Sequence, residues 1–535
     1  MGIARTLGRS LAHAPAHSPR AVGAGPAGGL ARQLQALFAK GEQGAAYYFT
    51  HDFAGLYQDA AGSVPVTAVE QPVGLMLDRR FELARGAEKV ADTTFENADY
   101  WTNKAAAWEF TPGGVRVIGT GQISRHSSLE LLLSDGVRYE VTIVIAEHTS
   151  GGVRSSDVSN SPQANSEMFS SVGTHRAIVT GAGATWSLRG TSTTNLVIGR
   201  VSVREVPGNH ASQATTTARP RLSSRINWAR HSEAQPGTFG SGPVPVPAIV
   251  DAPFGRVTGL RKNAGSSAYS YTGVDATLAG NITVSYFVRR ADGGALQFPV
   301  PTSATSGSND CVVMIGAPVA PSETTVESLG DGWYRLSATR PHTGSIGFLS
   351  YRQDVELEVT GLQVELGSRL SRYQRTNTSA DYDWRNFPLY LQFDGVDDFL
   401  EASPITFGSA LLVSGFAASR EGNASLASGT FGSSPYYGIV SSTSGPSSST
   451  HVGAGSPTIS VDGEPVANTR AQLDAVWGGA KVVRYAGLNL GAWTKSVIGM
   501  YTGFPGMRQL YGHVMAPDGA GVGEKIDKFL KARMA

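Results

Sequence analysis

Cysteine is nearly absent from this sequence, which contains only Cys311 in 535 residues. A single thiol excludes a disulfide framework within the chain and a metal site built from several cysteines. Cys311 begins the apolar run 311–315, so we expect it to be a small buried hydrophobic residue. No apolar run approaches the roughly 18 residues of a membrane-spanning helix, and the N-terminus lacks the apolar core of a secretory signal. The sequence therefore predicts neither membrane insertion nor export.

Charge is also sparse, and it is balanced. Charged residues make up 16% of the chain, with 44 Lys and Arg against 43 Asp and Glu. Without a strong overall field, electrostatics favours neither nucleic acid nor an anionic membrane as a partner. Familiar catalytic patterns are missing as well, among them G-x-S-x-G, H-E-x-x-H and the P-loop, and the histidines lack metal-ligand spacing. We expect no enzyme, although a carboxylate pair assembled in space, as in a glycosidase, stays open.

Glycine is abundant, with 65 residues, and Ser- and Thr-rich runs recur at short intervals. This composition is typical of many short strands joined by turns. Residues 139–145 and 282–288 have the pattern of strands at least partly buried on both faces. A final helix is predicted near 524–532, and the length predicts three or four domains. We therefore predict a mainly β protein of several β-sandwich (jelly-roll) domains.

The N-terminal region, residues 1–45, has a different composition, because no acidic residue precedes Glu42 and Ala, Gly and Pro are frequent. Apolar residues then recur at i, i+4, i+7 and i+8, which predicts a short amphipathic helix over 29–40. They are Leu30, Leu34, Leu37 and Phe38. Such a stripe needs a partner surface, so we interpret it as the element that attaches the chain to a larger assembly. The G-x-G-x-x-G match at 23–28 lacks a preceding strand and following βα units, so we do not expect nucleotide binding.

The eleven residues 390–400, Tyr-Leu-Gln-Phe-Asp-Gly-Val-Asp-Asp-Phe-Leu, indicate a strand, an Asp-Gly turn and a second strand. In amino-acid sequence they resemble the start of the laminin-G-like (concanavalin A-like) domains of tailed-bacteriophage tail fibres and other virion appendages. Such domains also occur in many bacterial surface proteins. Residues 41–78 resemble a leader segment that precedes such a domain in phage tail and appendage proteins. Residues 208–213 and 218–220 resemble short sequence segments that often follow that leader in such proteins. The resemblance implies one discontinuous sandwich with two inserted modules.

The two inserts look like copies of one unit, because each closes on a strand, a glycine and a second alternating strand. This closing pattern, with Gly332-Trp333-Tyr334-Arg335-Leu336 in the second copy, resembles the carbohydrate-binding-module jelly rolls of phage tail proteins. The predicted division is an attachment arm with a helix (1–45), a leader joining the laminin-G-like domain (46–90), an inserted sandwich (91–207), a return segment (208–224), a second inserted sandwich (225–380) and the laminin-G-like sandwich (381–535).

Two sets of candidate site residues come from the C-terminal region. Asp394, Asp397 and Asp398 offer oxygen ligands to Ca²⁺, as laminin-G-like and lectin sandwiches sometimes do. The alternative is an Asp-Gly hairpin turn with solvated carboxylates. Aromatic residues near Gly-rich loops are candidates for stacking on sugar rings, with core packing as their alternative. They are Tyr436, Tyr437, Trp477 and Trp493. For Trp101, Trp108, Trp228 and Trp333 we expect core positions.

The resemblance implies a non-enzymatic virion structural protein of a tailed phage, a tail fibre or similar appendage located in the virion. Its arm would bind other virion proteins, and its sandwiches would face a host-surface glycan. Repeated copies in a symmetric oligomer, with a trimer favoured, would supply avidity. The alternatives are a head-decoration or collar protein that binds no receptor, a capsule depolymerase, and a bacterial adhesin. No cofactor is expected apart from Ca²⁺.

Overall fold

The fold is mainly β, as predicted, and it is described here from a computed structural model of the chain. The structure describes residues 26–101, 103–124, 131–157, 168–233, 237–239, 246–263, 268–271, 281–342, 344–350, 352, 354–394, 396–417, 424–428, 438–441, 457–469, 480–491, 493–501, 504–505 and 509–535. Within these residues, no helix is both long enough and apolar enough to cross a membrane.

The elements follow one another in chain order. The chain begins with α1 (Pro26–Ala36), β1 (Ala45–Tyr48), β2 (Leu56–Tyr57) and β3 (Leu75–Met76). It continues with β4 (Asn103–Lys104), β5 (Trp108–Thr111), β6 (Gly114–Ile118), β7 (Gly121–Ser124), β8 (Leu132–Leu133), β9 (Arg138–Ser150), β10 (Val153–Asp157), β11 (Met168–Phe169), β12 (Gly173–Thr180), β13 (Ala184–Gly190) and β14 (Asn195–Glu205). Next come β15 (Ala211–Ser212) and β16 (Arg221–Ser223).

The second half of the chain has the same character. It contains β17 (Gly237–Phe239), β18 (Val246–Ala252), β19 (Gly255–Lys262), β20 (Ala268–Tyr271), β21 (Asn281–Arg290), β22 (Val312–Ile315), β23 (Ala317–Pro318), β24 (Thr325–Gly330), β25 (Trp333–Pro341), β26 (Ile346–Leu349) and β27 (Leu357–Leu366). It ends with β28 (Tyr390–Gln392), β29 (Leu400–Ala402), β30 (Ala410–Ala417), β31 (Ala424–Ser428), β32 (Gly438–Ser441), β33 (Thr458–Val461), β34 (Glu464–Val466), β35 (Lys481–Leu488), β36 (Ser496–Ile498), β37 (Met500–Tyr501), β38 (Phe504–Pro505), β39 (Gln509–Pro517) and α2 (Val522–Met534).

The central sandwich is built from three separate stretches of chain, 45–76, 211–223 and 390–517. One sheet has the order β16-β28-β39-β30-β35-β33-β34, with β1 also paired to β39. The other has the order β2-β3-β15-β29-β36-β31-β32. Side chains from both sheets, such as Leu412 and Ile498, meet in one core. Strands far apart in sequence therefore share this domain.

Two further sandwiches each come from one continuous stretch. The second sandwich, residues 103–205, pairs the sheet β12-β9-β14-β6-β5 with the sheet β11-β10-β13-β7-β4, to which β8 is added through β13. The third sandwich, residues 237–366, pairs β18-β19-β27-β21-β25-β24 with β17-β20-β26-β22-β23. The four tryptophans expected in cores are buried, and so is Cys311. Strand β21 is buried on both faces, whereas β9 alternates between buried and half-exposed positions.

The Asp-Gly segment does not form a hairpin, contrary to the sequence-based alternative. Strand β28 before it pairs with β16 and β39, whereas strand β29 after it pairs with β15 and β36. These partners belong to opposite sheets of the central sandwich. The crossing segment between β28 and β29 therefore leads from one sheet of the central sandwich to the other.

The apolar stripe of α1 is covered by the chain's own C-terminal helix, so the inference that it needs an outside partner is wrong. Leu34 is 2% exposed and Phe38 is fully buried, while Leu30 and Leu37 pack at the margin of the same cluster. Their neighbours include Phe529 of α2 and residues of β30 and β39. The stripe is part of the fold. Attachment of the chain to a larger assembly through these four residues stays a prediction, but an uncovered apolar stripe no longer supports it. Residues 1–25 of the predicted arm lie outside the described residues.

The start of strand β1 depends on a glycine. Gly44 has φ +144°, a region that L side chains rarely adopt. A Cβ at this position would lie 2.5 Å from the carbonyl oxygen of Met515 and would also meet the ring of Phe38. The absence of a side chain therefore lets β1 approach β39 while the Phe38 ring stays buried.

A buried polar network joins the first and second stretches of the central sandwich. The carboxylate of Asp78 accepts backbone N–H bonds from Ala46 (2.9 Å), Arg80 (3.0 Å) and Asn209 (2.8 Å), and Arg80 Nε lies 3.0 Å away. The amide of Asp78 donates to His210 Nδ1 at 3.0 Å. Because buried polar groups need partners, this network fixes the return of the chain from the second sandwich.

Candidate functional site

The sequence-predicted aromatic residues do not form a surface site in the part of the chain that the structure describes. Trp493 is 3% exposed and lies in the core of the central sandwich. The prediction that it stacks on a sugar is therefore wrong, because its ring is covered by neighbouring side chains. Tyr436, Tyr437 and Trp477 lie outside the described residues.

Trp384 differs from the other tryptophans that the structure describes. Of the seven within the described residues, six are buried and Trp384 is half-buried. It follows a short two-stranded ribbon in which Asp383 N donates to Arg375 O at 3.0 Å and Thr376 pairs with Tyr382. This ribbon leads from the third sandwich back to the central one. Trp384 is not among the sequence-predicted candidates, because its neighbours lack the Gly-rich pattern that marked them.

The indole of Trp384 is held by neighbours but still reaches solvent. Its ring centroid lies 5.3 Å from that of Phe53 and 6.2 Å from that of His51, whose ring is nearly parallel at 15°. The guanidinium carbon of Arg385 lies 5.6 Å from the indole centroid. A rigid aromatic face beside polar groups suits ligands that have both apolar and hydroxylated surfaces.

A groove of about 590 Å³ opens beside this tryptophan. It is lined by Arg372, Tyr373, Arg375, Asp381, Tyr382, Asp383, Trp384, Arg385, Asn386 and Phe387. Its volume lies within the range of small-molecule sites, roughly 300–1,000 Å³. The lining therefore combines aromatic rings with charged and amide side chains that can donate and accept hydrogen bonds.

Hydrogen bonds fix several of these lining groups. Arg375 and Asp383 form an ion pair at 3.4 Å across the ribbon. The Tyr382 hydroxyl donates to Glu70 at 2.6 Å, and the Tyr373 and Ser232 hydroxyl oxygens are 2.6 Å apart. Burial raises the pKa of both tyrosines, so they stay protonated near neutral pH. The groove is thus preorganised by residues of the central sandwich and by segments that flank the third one.

The three aspartates of the crossing segment do come together. Asp394, Asp397 and Asp398 each place a carboxylate oxygen within 4.8 Å of the others. Asp398 is 8% exposed and accepts the backbone N–H of Asp394 at 2.7 Å, whereas Asp394 accepts the N–H groups of Val396 and Asp397. Burial, together with the charges of Asp394 and Asp397, raises the pKa of Asp398 to about 6.

This arrangement fits a hard cation in part. Ca²⁺ takes about six to eight oxygen ligands, and the three carboxylates supply a portion of them. A cation beside Asp398 would stabilise its ionised form, which burial and its two acidic neighbours disfavour. Asp394 is already engaged in closing the turn. The residues are therefore compatible with a Ca²⁺ site, and they also have a structural role without one.

Comparisons with known proteins assign no family. Neither a protein-family model nor a curated protein matches this chain. Among solved structures, the tandem CBM22-1–CBM22-2 domain from the N-terminus of Paenibacillus barcinonensis Xyn10C aligns with 52% of this chain and 98% of its own length. The identity is 8% and the TM-score is 0.22. A likeness this low bears on neither fold nor function, and the description of the three sandwiches rests on strand order alone.

Proposed function

We propose that this chain is a non-enzymatic modular binding protein that recognises carbohydrate in the groove beside Trp384. The observation that carries the proposal is the single half-buried tryptophan among the described ones, set in a groove of about 590 Å³. An indole face contacts the C–H surface of a sugar ring, while neighbouring polar groups bond its hydroxyls. Arg375, Asp383 and Asn386 are the polar groups that would select the sugar.

The proposal extends to the setting in which the chain works. We infer a structural protein of a tailed-phage virion, a tail fibre or similar appendage, from the resemblance of residues 41–78 and 390–400 to segments of such proteins. Several stable sandwiches on one chain suit an elongated appendage whose individual contacts are weak. A symmetric oligomer, a trimer in the favoured version, would raise the effective affinity without any new contact.

A glycan array with matched variants tests the binding function. The wild-type chain is expected to bind a defined set of glycans, and Trp384→Ala is expected to lose that binding. Phe110→Ala removes a half-exposed ring from the second sandwich and serves as the control. Circular dichroism checks that both variants keep their strands. Equal array signals for wild type and Trp384→Ala would contradict the groove as the binding site.

Antibody labelling of intact particles tests the setting. An antibody against residues 381–535 is expected to label the distal tail in electron microscopy. Label on the head or collar, with a blank array, would favour the decoration protein instead. Release of reducing sugar from host capsule would favour the depolymerase and would contradict the non-enzymatic part of the proposal.

A further inference from the structure

The outer face of one sheet of the second sandwich carries two arginines on either side of its central strand. In β12, Arg176 lies opposite Thr142 of β9, and Thr142 lies opposite Ser202 of β14. One row along, Thr174 lies opposite Val144, which lies opposite Arg200. Neighbouring residues of β9 such as Val141 and Ile143 point into the core. Because side chains alternate between faces, the two rows share the face away from the core.

The carboxylates of this region are already matched by other arginines. Glu140 pairs with Arg85 at 2.8 Å and Glu147 with Arg116 at 2.7 Å. Glu88, on the segment that runs antiparallel to β14, pairs with Arg204 at 3.2 Å. Exposed Glu109 also lies on this face, opposite Arg116. These acidic groups thus lie beside arginines other than Arg176 and Arg200.

Arg176 and Arg200 are left over from this pairing. Both are exposed, and neither has an ion-pair partner among the residues that the structure describes. The strand spacing of about 4.8 Å and the offset of one row place their Cα atoms about 12 Å apart. Between them lie short hydroxyl and aliphatic side chains, which leave the face flat. Arg176 and Arg200 therefore present two positive charges on either side of the half-exposed side chains of Thr142 and Val144.

We propose that this face binds an acidic polysaccharide, a glycan chain that carries carboxylates, through Arg176 and Arg200. The glycan nature of the partner rests on the proposed function, whereas the acidic character rests on the two arginines. Guanidinium groups bond carboxylates through paired N–H donors. Thr142 and Thr174 offer hydroxyls to the sugar between two acidic groups, whereas the Ser202 hydroxyl already donates to Glu88. The Trp384 groove and this face are separate sites on separate sandwiches.

The lack of aromatic residues in the two rows favours a glycan over a single-stranded nucleic acid as the ligand. Binding of nucleic-acid bases relies on aromatic platforms flanked by many basic residues, and the two rows contain no aromatic residue. The chain as a whole carries a net charge of +1, so attraction to a polyanion must be local. Binding through two exposed charges is weak and sensitive to salt, which a repeating polymer compensates by offering many equivalent positions.

Affinity electrophoresis of the full chain in gels containing polygalacturonate or neutral dextran tests the proposal. Wild-type protein is expected to be retarded by polygalacturonate at low salt. Arg176→Gln/Arg200→Gln should weaken that binding about ten-fold, as expected for two exposed charge contacts. Arg256→Gln/Arg261→Gln removes two charges from β19 of the third sandwich and should leave it unchanged.

The outcomes separate this inference from the proposed function. Undiminished polygalacturonate binding by Arg176→Gln/Arg200→Gln would overturn the assignment of this face as the site for an acidic glycan, whereas glycan binding lost in Trp384→Ala would still support the groove. Wild-type protein that is not retarded by polygalacturonate would also overturn the proposal. Tighter, Arg176- and Arg200-dependent binding to an oligodeoxynucleotide of equal charge would reassign the face to nucleic acid and overturn the glycan.

Discussion

Acid is expected to destabilise the central sandwich through His210, because the folded chain holds this side chain neutral. Its Nδ1 accepts the amide hydrogen of Asp78, and its Nε2 lies 2.9 Å from the carbonyl oxygen of Val206, to which it must donate. A second ring proton would face the Asp78 N–H. Burial, with the nearby charges of Arg138, Arg85 and Arg80, lowers the pKa of His210 from 6.5 to about 4.

The size of the effect follows from that difference in pKa. A pKa of about 4 in place of 6.5 corresponds to about 3.4 kcal/mol. Because the pKa is lower in the folded state, the unfolded chain takes up the proton first as the pH falls. Stability is therefore complete above about pH 6.5, declines between about pH 6.5 and about pH 4, and changes no further through this group below that range.

Urea unfolding followed by far-UV circular dichroism at several values between about pH 7.5 and about pH 4 measures the effect. His210→Gln keeps a donor and an acceptor but does not titrate in this range, and the exposed His231→Gln is the control. The wild type should lose about 3 kcal/mol more than His210→Gln across the range. Burial lowers the pKa of His513 to about 3. Its effect on the free energy of unfolding is the same in the wild type and both variants, so it cancels in the comparison. Equal losses in wild type and His210→Gln would refute the reasoning.

Two further predictions concern packing and the acidic turn. Phe38→Ala removes a fully buried ring between α1 and α2 and should lower the free energy of unfolding of the central sandwich by about 3–5 kcal/mol in urea. The urea transition whose midpoint this variant shifts is that of the central sandwich. A shift no larger than that caused by Phe110→Ala would contradict the tight packing of Phe38 in this core. Asp398→Asn should stabilise the metal-free protein near pH 8 by about 2 kcal/mol, because a folded-state pKa raised to about 6 makes ionisation unfavourable above that pH. Added calcium should then raise the melting temperature of the wild type more than that of Asp398→Asn, and equal shifts would argue against a calcium site.

The fold class could be predicted because its signals are local. Alternating strands, abundant glycine and the final helix are each determined within a few residues. The crossing between β28 and β29 could not be predicted, because an Asp-Gly sequence between two strands looks the same whether the strands pair with each other or belong to different sheets. That choice depends on β15, β16, β36 and β39, which lie far away in sequence.

The candidate site was harder to predict for the same reason. The stripe of α1 was correctly expected to need a partner, but that partner is α2, which begins at Val522. Trp493 and Trp384 differ in exposure because one lies within the central core and the other at the junction of two sandwiches. Only the three aspartates, four residues apart at most, were brought together by their own local turn.

The pairing of Ala45 with Met515 has a consequence for how the protein is made. The two residues are 470 positions apart, and at about 5–20 residues per second a ribosome needs about 20–90 s to travel that distance. The second and third sandwiches are continuous in sequence, so each can fold while the rest of the chain is still being synthesised. Once folded, they shorten the effective loops that the central sandwich must close. Strand β1 must wait for the last part of the chain to emerge before it gains its partner, so the first sandwich to begin is the last to be completed.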